Sequence, residues 1–112
     1  MDALTKYVFF NYMDLMSRRE SSAYMSIVGE EKAKHASSLT MKERLRRELV
    51  SKDPEVLQLL AVGAEQFFTN TSEGILREHR REIFLNRCPH CGRLARTPRA
   101  KQYRHCFFSW HE

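Results

Sequence analysis

The residues best equipped for chemistry are three cysteines that all fall within residues 87–112. Cys88-Pro89-His90-Cys91-Gly92 sets two thiols three positions apart on one tight turn. That spacing lets two thiolates reach one ion from the same side, and zinc takes four ligands in a tetrahedron. Gly92 follows the second cysteine, where a chain leaving such a turn often needs the positive φ that glycine adopts freely. Cys106 follows after 14 intervening residues. A second C-x-x-C pair ending at Cys106 would complete the site, but Tyr103 holds its first position. A phenol with a pKa near ~10 is a poor zinc ligand. The candidates for the fourth place are, in order, His111, a water or anion, and His105. His111 lies five residues after Cys106, so the chain can fold back. His105 adjoins Cys106 and His90 sits inside the first turn, and both are expected to point away from a shared metal. The expected site is therefore Cys88, Cys91, Cys106 and His111 around zinc. Two other readings of the same residues stay open: a dithiol redox pair, or the remnant of a lost site in which Tyr103, Phe107, Phe108 and Trp110 form a small apolar core. The redox motif normally follows a strand in a βαβ unit, and no such unit is legible here.

The charge distribution sets the same segment apart. Residues 1–86 carry 13 Lys/Arg and 13 Asp/Glu, so the whole net charge of +5 resides in residues 87–112. Arg93, Arg96, Arg99, Lys101 and Arg104 lie between the two half-sites, opposed in that tail by Glu112 alone. Such an asymmetry between segments points to an anionic partner. Arginine suits phosphate, and Tyr103, Phe107, Phe108 or Trp110 could stack on bases. The bland reading is a solvated charge run around a structural site.

The elements that must hold this tail read as helices. Leu4, Tyr7, Val8, Tyr12 and Leu15 follow helical spacing, with Phe9, Met13 and Met16 as a second stripe. Ser17-Arg18-Arg19-Glu20 fits a capping box that opens a helix from about Arg18 to the mid-30s, with Ala23, Tyr24, Ile27 and Val28 inward. Thr40-Met41-Lys42-Glu43 reads as another capping box, opening a helix that buries Leu45 and Leu49. Asp53-Pro54-Glu55 is a strong start signal for a helix burying Val56, Leu57, Leu60, Ala64, Phe67 and Phe68. Thr69-Asn70-Thr71-Ser72 is expected to interrupt it, and a last helix carries Ile75, Leu76, Ile83 and Phe84 into the tail. Pro89, Gly92 and Pro98 then break the pattern, and two short strands are expected near residues 93–96 and 103–105. The expected fold is mainly α: a domain of about five helices over residues 1–86, then a zinc-ribbon-like module with a short β-hairpin over residues 87–112.

Length and composition exclude several classes. The chain has 112 residues, room for one domain or a small domain with an appendage. No apolar run approaches the ~18 residues that span a bilayer. Residues 1–6 show no basic region, apolar stretch or small-residue cleavage site of a secretory signal. An odd number of clustered cysteines fits metal binding in a reducing, cytoplasmic compartment better than disulfides.

The tail resembles the C-terminal zinc ribbon of small bacterial proteins, many from Bacteroidetes, with a pattern close to N-x-C-P-x-C-G-x-L-A-R-T-P-x-A-x-Q-C-x-x-C-x-x-x-W-H. The matching residues are Asn86, Cys88, Pro89, Cys91, Gly92, Leu94, Ala95, Arg96, Thr97, Pro98, Ala100, Gln102, Cys106, Trp110 and His111. Tyr103 departs from the pattern at its third cysteine. The family has no assigned activity, so the resemblance implies architecture and metal alone. The expected function is a non-enzymatic zinc-ribbon protein whose structural metal site presents a basic loop to nucleic acid. The alternative is a protein–protein adaptor that uses the ribbon or the apolar first helix, with Phe9, Phe10, Met13 and Met16 as its surface. A three-ligand zinc with an open place would suit an enzyme. No H-x-E or H-E-x-x-H pairing is present to serve it, and His79 with Glu82 reads as a surface pair or a packed residue.

Overall fold

The structure is a computed structural model. It describes residues 1–103 and 108–109, with side chains up to residue 101. The fold is mainly helical, with five α-helices among the described residues: α1 Ala3–Asn11, α2 Arg18–Lys34, α3 Leu39–Leu49, α4 Pro54–Leu60 and α5 Ala64–Glu78. Short 3₁₀ turns cover Met13–Leu15 and Arg80–Glu82. At the far end β1 Gln102–Tyr103 pairs antiparallel with β2 Phe108–Ser109. The chain sorts into two compact units, one of residues 1–15 and 72–112, the other of residues 16–71. Helix α5 gives its first half to the second unit and the rest to the first.

Residues 16–71 form a helical unit built on close approach of small side chains. Helix α2 opens on the expected capping box: Glu20 N–H donates to Ser17 Oγ at 3.1 Å, and Ser17 N–H donates to Glu20 Oε1 at 2.9 Å. Its buried residues are Ala23, Ser26, Gly29 and Ala33, whereas Tyr24, Ile27 and Val28 are only half-buried. Ala23 is buried as expected, and the rest of the inward face is small, which lets α3 and the chain after it come close. Ser26 Oγ accepts from Ser51 N–H at 2.9 Å and donates back to Ser22 C=O at 3.1 Å. Helix α3 starts earlier than expected. Ser38, not Thr40, caps it by accepting from Met41 N–H at 3.2 Å. Leu45 and Leu49 are half-buried rather than buried.

Asp53 caps α4 as expected, accepting from Glu55 N–H at 2.9 Å, with Pro54 in the first turn. The break that follows is earlier than the sequence suggested. Gly63 takes φ +93, a left-handed conformation that ends a helix. Thr69-Asn70-Thr71-Ser72 instead lies within α5. Val56 and Phe67 are buried, Phe68 stacks edge-on against Tyr24, and Leu57 and Ala64 are exposed.

In the other unit, α1 is capped by Asp2, whose carboxylate accepts from Thr5 N–H at 2.7 Å. That bond holds the Asp2 carboxyl below its ordinary range. Tyr7, Val8 and Phe9 are buried, as are Ile75 and Ile83. Ser72 Oγ, also buried, donates to Thr5 C=O at 3.1 Å. Ile83 and Phe84, expected on the last helix, lie beyond its end at Glu78, and Phe84 is 59% exposed.

Candidate metal centre and basic loop

Cys88 to Gly92 form one closed turn. Gly92 N–H donates to Cys88 C=O at 2.8 Å, and Gly92 takes φ +77, which suits glycine. The flanks pair across the turn: Cys88 N–H donates to Arg93 C=O at 2.8 Å, Ala95 N–H to Asn86 C=O at 2.7 Å, and Arg87 bridges Leu94 antiparallel. The turn therefore sits at the tip of a short paired segment, and Leu94 makes a bridge where a fuller strand was expected. Cys88 is buried and Cys91 is exposed. Two thiols on one turn, one lining the interior and one facing solvent, can offer a metal ion half of its ligands. Cys106, His105 and His111 lie outside the described residues, as does Arg104. Among the described residues no group of three or more His, Cys, Asp or Glu comes together as a metal site.

The basic loop leaves this turn directly. Arg93, Arg96, Arg99 and Lys101 are all exposed. Thr97-Pro98-Arg99-Ala100 is a turn closed by Ala100 N–H donating to Thr97 C=O at 3.3 Å. Pro98 occupies its second position, where the fixed φ of proline is already correct. Arg99 follows it at the tip.

Four side chains to which the sequence reading gave no part in the site hold this segment in place. Asn86, 5% exposed, spends both amide hydrogens on the loop, donating to Thr97 C=O at 3.0 Å and Ala100 C=O at 2.9 Å. Asn11 donates to Tyr7 C=O at 2.9 Å and to Arg96 C=O at 3.3 Å. The Tyr7 hydroxyl donates to Phe84 C=O and accepts from Asn86 N–H at 3.1 Å. The Tyr12 hydroxyl donates to the same carbonyl at 3.2 Å and accepts from Phe84 N–H at 2.9 Å. Tyrosine hydroxyls thus satisfy the backbone of 84–86 where a neighbouring strand would otherwise be needed. Burial pushes the Tyr7 phenol above its ordinary pKa, and the Asn86 N–H opposes this only in part. Asn86 stood in the resemblance pattern without a function, and Tyr7 and Tyr12 read as apolar-stripe residues.

The other sequence candidates separate. His79 Nδ1 pairs with Glu82 at 3.3 Å, the surface pair expected of them. Phe9 is fully buried while Phe10 is 44% exposed, so the apolar surface expected on the first helix is split between core and solvent. No helix among the described residues is long and apolar enough to cross a membrane. No protein-family model, curated protein or solved structure matches the chain.

Proposed function

We propose that this chain is a small non-enzymatic binding protein in which a structural zinc site holds a basic loop for contact with nucleic acid. Cys88 and Cys91 supply the first two ligands, Cys106 the third and His111 the fourth. Zinc held there would tie the two half-sites together and would have a structural part, not a catalytic one. Arg93, Arg96, Arg99, Lys101 and Arg104 contact phosphates. The observation that carries this reading is the exposure of Arg93, Arg96, Arg99 and Lys101 on the stretch that leaves the Cys88–Gly92 turn. Among the described residues, none of these four makes an ion pair, so their charge is not spent on a described carboxylate. The adaptor reading is weaker, because Phe9 belongs to the core and Phe10 alone of that pair is largely open.

Metal content of protein purified without chelator tests the site. The expected result is about one zinc per chain, as one four-ligand site requires. Cys88→Ser and Cys106→Ser each lower it, and Tyr103→Cys tightens retention against a competing chelator. Zinc near zero in the wild-type protein would remove the metal from the account.

A further inference from the structure

We infer that Asn86 is the positioning residue of the basic loop, presenting Arg99 in a turn that is ordered before any ligand arrives. The inference rests on the reading of that loop as a phosphate-binding surface, and it adds what fixes the loop's conformation. The two carbonyls that Asn86 holds, Thr97 and Ala100, are the two ends of the turn that carries Arg99 at its tip. A single buried amide thereby sets the turn's width and its orientation on the 86–95 pairing. Asn86 is itself held at its own N–H by the Tyr7 hydroxyl and at its C=O by Ala95 N–H. Asn11 fixes the carbonyl of Arg96 just before the turn. The metal would join the two ends of the loop at its cysteines, whereas none of these bonds involves a cysteine side chain, so the Arg99 turn within the loop keeps its shape independently of the metal. Ordering the turn in advance removes an entropic cost from binding.

The test uses the full-length chain and a duplex oligonucleotide at low salt. Asn86→Ala lowers affinity about 3- to 10-fold, the scale set by loss of the two hydrogen bonds that hold the turn. Arg99→Ala lowers it similarly, and the double variant is little worse than Arg99→Ala alone, because Asn86 acts through Arg99. Additive losses in the double variant would overturn the inference and assign Asn86 a general structural role. Amide exchange at Ala100 reads the turn without any ligand. It speeds several-fold in Asn86→Ala, with wild-type helix content in circular dichroism, and is unaffected by chelator in the wild type. Unchanged exchange at Ala100 in Asn86→Ala, or exchange in the wild type that rises with chelator, would contradict the inference. If Asn86→Ala loses helix content, Asn11→Ala serves instead, with faster exchange at Ala100 expected and no change contradicting it. A wild-type protein that binds no oligonucleotide sinks the phosphate reading, while the exchange measurement still decides the positioning role.

Discussion

Tyr7 does at one residue what a strand does over several. Its ring is buried, and its hydroxyl serves both Phe84 C=O and Asn86 N–H. Tyr7→Phe keeps the ring and leaves the buried Asn86 N–H without this acceptor, which costs about 1–3 kcal/mol. Chemical denaturation reads that loss directly. The pH dependence has a definite sign. Burial raises the Tyr7 pKa in the folded chain, so the unfolded chain loses this proton first, near its ordinary value of about 10. This contribution to stability is intact below that pH and disappears as pH rises through the higher folded value. Tyr7→Phe therefore flattens the alkaline part of the stability profile, and an unchanged alkaline limb would rule the assignment out. At this scale the sequence was legible where partners are close. Ser17 with Glu20, and Asp53 with Pro54 and Glu55, were readable because caps act over three residues or fewer. The roles of Tyr7 and Asn86 were not, because the bond that joins them crosses 79 positions of chain and the bond from Tyr7 to Phe84 crosses 77.

Helices α2 and α3 show how packing overrode pattern. A Cβ added at Gly29 would sit 2.6 Å from Leu49 Cβ, well inside carbon–carbon contact distance. Alanine in place of glycine should favour a helix by about 1 kcal/mol. Forcing these helices apart costs about 1–3 kcal/mol, so the clash outweighs the propensity. Gly29→Ala is expected to lower the melting temperature by several degrees, and a rise would refute the close approach. Glycine is a poor helix former, yet Gly29 is the place in α2 where Leu49 comes close. The misplaced break between α4 and α5 has a similar origin. Thr69-Asn70-Thr71-Ser72 looks helix-averse by composition. In α5 the Thr69 hydroxyl donates to Glu65 C=O at 3.2 Å, and Thr71 and Ser72 are buried. Gly63 was the local stop signal, and its left-handed φ could have been suspected from residue type alone.

For the molecule as a whole, the main features legible in sequence were five helices and a charge concentrated in one segment. The cysteine turn and its glycine were legible too, because a tight C-x-x-C-G turn is a local device. The support beneath the basic loop was not, since it depends on α1 and on residues 84–86 meeting in space. A net charge of +5 placed on a loop anchored by Asn86 makes phosphate contact the central claim, and salt dependence reads phosphate contact most directly. Duplex oligonucleotide affinity should be measured across a range of salt concentrations with the zinc-loaded protein. Three to five phosphates contacted by the loop's basic residues predict a slope of log K against log salt of about −3 to −4.5. A flat slope, or no binding at low salt, would contradict the account.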